Sequence, residues 1–240
     1  MILTAVTAIL LAQASSGSAN VPVVKCSYQT VNGTAKVSAP ATVKAAAGAQ
    51  WQSKIAYFSM GTAGVFAPRS WHCFAHLGAG AMVINVAPAA TDSFPNSPGG
   101  KVGITSMIWY GYGGHFSLVL QKGTPLFANL RGIAFSEFQG ANQNYMKMQA
   151  SMMKYEPPKG EKVTIVSDNV VKFCDPAKVR GTGAGSGGAY PSCGVATEDW
   201  HGNAGASSAQ PAVPDLHIFS ITMPQADQQL MHELMKLNGA

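Results

Sequence analysis

The chain has 240 residues, 47% of them hydrophobic and only 11% charged, with 26 glycines and a formal net charge of +5. That apolar share excludes a disordered chain, and the length suffices for one large domain with its own core even after loss of a leader. Asp92 is the one acid before Glu137, which disfavours a two-carboxylate glycosidase, and no Lys/Arg cluster with interleaved aromatics suggests nucleic-acid binding.

Residues 1–19, MILTAVTAILLAQASSGSA, contain no charged side chain. Their apolar run from Ile2 to Ala12 has the length of a secretory h-region and falls short of the ~20 residues of a membrane span. Small-residue cleavage sites follow at Ala12-Gln13-Ala14 and at Gly17-Ser18-Ala19. The second is favoured, which predicts a signal peptide over 1–19, a mature start at Asn20 and a secreted or periplasmic protein without a transmembrane span. An apolar stretch at 102–120, VGITSMIWYGYGGHFSLVL, has the length of a span, but its four glycines and His115 predict a hairpin turning at Gly111–Gly114.

Further strands are expected at Val21–Val31, Lys54–Phe66, Ala81–Val86, Val102–Tyr112, His115–Gln121 and Pro125–Phe135, then at Lys162–Phe173 with a turn at Asp168-Asn169, and at Leu216–Thr222. A helix over about Ala141–Lys154 is stopped by Pro157-Pro158, the best internal boundary. It separates a basic β-rich part, 20–156, from a part with strands, loop and helix, 157–240, the two packed as one unit. Near the end, Ala226, Leu230, Leu234 and Leu237 recur at helical spacing after Pro224, so an amphipathic helix should dock there and leave His232 in solvent. Between them lies a long glycine-rich loop, whose G-x-G-x-x-G at Gly183, Gly185 and Gly188 precedes no helix and so implies no nucleotide. The fold class is α+β, mainly antiparallel sheet with a C-terminal amphipathic helix, and no cofactor is implied.

Four cysteines in an exported chain allow three pairings; Cys26 with Cys73 and Cys174 with Cys193 are favoured because each pair lies within one half of the chain. The densest chemistry surrounds one of them: Pro68, Arg69, Trp71, His72 and Cys73, with His76 close behind. On a strand, Trp71 and Cys73 would share one face while His72, Phe74 and His76 share the other. Two rival readings exist. Cys73 could be the nucleophile of a hydrolase with His115 as base, or His72, His76 and His115 could ligate a metal. Neither carries a recognised local signature, and no G-x-S-x-G supports Ser-His-Asp catalysis.

The segments around Pro68, Arg69, Trp71 and Cys73, around Pro176, Gly181 and Gly183, and at Met223-Pro224 resemble a loose group of uncharacterised exported bacterial proteins. Its pattern is a Pro-Arg-Gly/Ser-Trp-x-Cys motif, a Gly-rich F-x-x-P…G-x-G loop and a C-terminal Leu/Met-Pro helix. Ser70 stands where that group usually has glycine, and Cys174 and Cys193 depart from it. The resemblance implies secretion and a shared fold, not a reaction. Charge adds a partner: residues 1–136 carry eight Lys or Arg against one acid, a net +7, whereas 137–240 carry eight against ten. An exported, non-enzymatic cell-envelope or ligand-binding module is therefore expected, whose basic part attracts anionic envelope polymer or a lipid surface.

Overall fold

The computed structural model describes residues 18–30, 32–78, 80–89, 102–111, 116–133, 147, 160–179, 188–200 and 213–239. Among them are strands β1 (Ala19–Lys25), β2 (Tyr28–Thr30), β3 (Gly33–Ala35), β4 (Thr42–Ala45), β5 (Ile55–Ser59), β6 (Gly64–Pro68), β7 (His72–Leu77), β8 (Ala81–Ala87), β9 (Gly103–Trp109), β10 (Lys162–Ser167), β11 (Val170–Asp175), β12 (Ser192–Asp199) and β13 (Asp215–Thr222). The helices are α1 (Ala49–Gln52), α2 (Phe116–Gly123) and α3 (Gln228–Leu237), with 3-10 turns at Asn129–Gly132 and Gln225–Asp227. The strands form a four-stranded sheet, β4-β1-β5-β6, and a nine-stranded one, β10-β11-β12-β13-β9-β8-β7-β2-β3. The protein is α+β and mostly antiparallel, although β1 with β5 and β2 with β7 pair in parallel.

Alternation sorts the large sheet into two faces. On one, Tyr28, Cys73, Ala75, Ile84, Val86, Ile104, Phe219 and Ile221 pack with Val21, Phe58 and Val65 of the small sheet and with Leu234 of α3. On the other, Val171, Phe173, Ala196, Leu216 and Ile218 pack under Val119 and Leu120 of α2 and under Leu126, Phe127 and Leu130. The seven-residue register of β13 against β9, Leu216↔Trp109 to Thr222↔Gly103, runs one sheet through both parts that the proline pair divides. The C-terminal helix closes the unit: Asn238 accepts the Phe66 N–H (2.8 Å) and donates to the Phe66 carbonyl (3.1 Å), while Glu233 accepts the Gly48 N–H (2.7 Å). Leu234 is buried, Leu230 and Leu237 are half-buried and His232 is exposed, as the periodicity requires. Pro224 precedes the 3-10 turn rather than opening the α-helix.

Four expectations are corrected. Of the strand expected at His115–Gln121, residues 116–121 belong to helix α2, so β9 finds its ladder partners in β8 and β13 and not in a hairpin strand that follows it. Adjacent Val119 and Leu120 are both fully buried, which a helix lying along a sheet permits and a strand with one wet face does not. Over residues 125–133, the described part of the strand expected at Pro125–Phe135, the chain contains the 3-10 turn instead. The glycine-rich loop is interrupted by β12, which lies inside the large sheet; a Cβ at Gly194 would overlap the Phe219 carbonyl and crowd the Phe173 ring, so glycine is required by close approach there. The helix expected at 141–154 lies outside the described residues except for Lys147, as do residues 1–17, Gly181, Gly183 and Gly185.

Candidate functional site

The chain crosses from the small sheet to the large one twice, between β1 and β2 at Cys26-Ser27 and between β6 and β7 at Arg69–Trp71. A disulfide joins Cys26 to Cys73, Cα atoms 5.6 Å apart, so it ties the two crossings together. The second crossing is a tight turn in which the Trp71 N–H donates to the Pro68 carbonyl (3.0 Å), and the Arg69 N–H donates to the Lys54 carbonyl (2.8 Å). Pro68 ends β6 there, opposite Ile55. Trp71 lies half-buried against the core behind the bridge, while Arg69 and His72 are exposed. The conspicuous motif is thus a structural corner.

The bridge removes the thiol that the hydrolase reading of Cys73 needs. His72 and His76 do share the face of β7 opposite Cys73, but four strand residues separate them by ~13 Å with Phe74 between, too far to close on one ion. His115 lies outside the described residues. Among the described residues no group of three His, Cys, Asp or Glu comes together. The second disulfide, Cys174 to Cys193, links residues directly opposite each other on β11 and β12, with Cα atoms 4.0 Å apart.

Two polar arrangements carry no motif in the sequence. Ser106 Oγ lies 2.8 Å from His217 Nε2, the spacing of a nucleophile and its base, and burial pushes the imidazole pKa down. Ser106 sits mid-strand in β9, however, where ladders to β8 and β13 use the surrounding backbone amides, so the strand offers no oxyanion donors. The pair satisfies a buried hydroxyl. The other arrangement is Glu198, 2% exposed on β12, whose Oε2 accepts hydrogen bonds from Asn129 Nδ2 (2.7 Å) and from the Trp200 indole N–H (3.1 Å). Its Oε1 has no partner among the described residues. Burial raises its pKa against the lowering effect of the two hydrogen bonds. Only a register that alternation could not supply would have placed either pair.

The feature that composition did foreshadow is electrostatic. Lys25, Lys44, Lys54 and Arg69 are all exposed on or beside the four-stranded sheet, Lys36 is exposed just after β3, and none of the five has an ion-pair partner among the described residues. Lys54 and Arg69 flank the open end of the β5–β6 hairpin, where Ile55 pairs with Pro68. Lys44 stands opposite Asn20 at the start of β1, which runs parallel to β5, so these three cations gather at one end of the sheet. Lys54 Nζ also rests 5.2 Å from the Trp51 ring centroid. Lys25 lies at the opposite end, beside Ser59. No acid occurs in the sequence before Asp92, and the carboxylate that does reach this part of the fold, Glu233, is taken up by the Gly48 N–H. Among the described residues, no helix is long and apolar enough to cross a membrane. No protein-family model matches the chain, and no match was found among curated proteins or among solved structures.

Proposed function

We propose that this is an exported, non-enzymatic module of the cell envelope that holds an anionic polymer against its four-stranded sheet. The observation that carries the reading is the end of that sheet where Lys44, Lys54 and Arg69 gather, exposed and without ion-pair partners among the described residues. A repeating anion engages such a surface over many weak contacts, and each is screened within a Debye length of ~8 Å at physiological salt. The bridged Cys73, and the ladders to β8 and β13 that take up the backbone amides of β9 around Ser106, speak for binding over turnover. Two disulfides suit an oxidising compartment, and a cleaved leader over 1–19 fits the same setting.

The test is retention on immobilised dextran sulfate against neutral dextran across a salt series. The wild type should be retained on the sulfated matrix alone and released as salt rises. Replacing Lys44, Lys54 and Arg69 together by Gln should release it at clearly lower salt, whereas Lys162→Gln with Lys172→Gln, on the far edge of the large sheet, should not. Retention that ignores salt, or an unaffected triple variant, would sink the proposal.

A further inference from the structure

Five large hydrophobic side chains are exposed among the described residues, and three of them, Val163 (37%), Ile165 (73%) and Val166 (55%), belong to one strand. That strand is β10, all six of whose residues are exposed, and it forms the outer edge of the nine-stranded sheet, paired with β11 on one side only. Its other side pairs with no strand among the described residues, which makes it the template on which another strand can add. The opposite edge, β3, is only three residues long. Proteins ordinarily protect an edge with charge, a bulge or a covering element. Here a bulge between Ile165 and Ser167 and the charge of Lys162 limit pairing, yet the apolar side chains remain in water.

The charges at the strand's ends decide what can cover it. Lys162 opens β10 and Asp168 follows its end; both are exposed, and neither has an ion-pair partner among the described residues. Six residues of strand hold them ~20 Å apart within one chain, so they cannot meet each other there. A second copy running antiparallel about a two-fold axis at Ile165 brings each Lys162 opposite the other chain's Asp168 and lays Ile165 on Ile165. Moving that register one residue one way sets Glu161 against Asp168, and moving it the other way sets Lys162 against Asn169 and loses the ion pair; in-register parallel pairing sets Lys162 on Lys162. We infer that β10 is a self-association edge, through which two copies of this chain join their nine-stranded sheets by antiparallel β10–β10 pairing. One strand pair with its side chains falls well short of the ~1,600 Å² of a tight interface, so the dimer is reversible and concentration-dependent. This inference stands apart from the cationic sheet, since β10 and the β4–β6 end belong to different sheets.

Sedimentation equilibrium of the full mature chain across a wide concentration range reads it directly. The wild type should show a monomer–dimer equilibrium, and Ile165→Lys, which places two like charges on the axis, should abolish the dimer without altering the circular dichroism or the melting temperature. Lys162→Asp and Asp168→Lys should each weaken association about tenfold, because the two-fold axis repeats each repulsive pair. Combining them should restore it, which fixes the antiparallel register. A monomer at every concentration overturns the inference and leaves the edge to a strand of another protein. A dimer that survives Ile165→Lys, or a double exchange that fails to restore association, overturns it equally.

Discussion

The two disulfides of this protein secure different things. Cys26–Cys73 closes a separation of 47 residues and joins the link between β1 of the small sheet and β2 to strand β7 of the large one, so it bears on the relative placement of both sheets. Cys174–Cys193 closes only 19 residues and joins two strands already paired from Val170↔Thr197 to Asp175↔Ser192. The first bridge extends a parallel ladder of only two pairs, Tyr28↔Ala75 and Gln29↔His76, whereas the second lies inside one of six pairs. Surface chemistry divides in the same way: the bridged corner adjoins the exposed cations of the small sheet, and the bridged ladder adjoins the apolar β10 edge.

The largest expected effect comes from breaking the corner. Cys26→Ser with Cys73→Ser should cost ~2 to 5 kcal/mol in urea unfolding, with roughly 4 kcal/mol from loop entropy alone. A buried serine at position 26, which is 1% exposed, adds to the loss. Trp71, packed behind the bridge, should shift its fluorescence to the red as the corner loosens. The equivalent change in the ladder, Cys174→Ser with Cys193→Ser, should cost less. Loop entropy gives roughly 3 kcal/mol there, the cysteines are only half-buried, and Trp71 should not respond. Equal losses from the two pairs, or a Trp71 shift from the second, would remove the distinction between a bridge across sheets and one along a ladder.

What the sequence disclosed follows the same division. The pairings were legible because compartment and chain proximity constrain four cysteines strongly, and alternation set Cys73 against His72 and His76 on β7; the corner itself was not legible, since Trp71 lies in the turn before the strand. The helix over 116–123 was not legible: a short apolar run such as Leu118-Val119-Leu120 satisfies strand and helix alike, and only packing on Leu216 and Ile218 decides. Strand β12 was hidden for the opposite reason. Ser192-Cys193-Gly194 reads as loop, and it is the ladders on both sides, with the Phe173 ring over Gly194, that make it a strand. Partners drawn from distant strands, such as Ser106 with His217 or Glu198 with Asn129, leave no local pattern at all.

The smallest expected effect, and the one that most sharpens the contrast, concerns the carboxylate buried beside the ladder. Burial raises the pKa of Glu198 in the folded protein above its ordinary value of 4.5, so the folded state holds this proton more tightly than the unfolded chain does. Between the ordinary value and the raised one the native protein binds more protons. Stability from this group is therefore fully present below about pH 4.5 and is lost as pH rises through the folded pKa, opposite in sign to a salt-bridged carboxylate. Glu198→Gln keeps an acceptor for Asn129 and Trp200 and has no proton to lose. Urea unfolding of the two proteins from pH 4 to pH 8 should show the wild type losing ground to the variant as pH rises, with the difference levelling off above the folded pKa. Parallel pH curves would mean that Glu198 titrates as it does in the unfolded chain. A wild type that gains on the variant with rising pH would mean that Oε1 meets a cation when the carboxylate is charged.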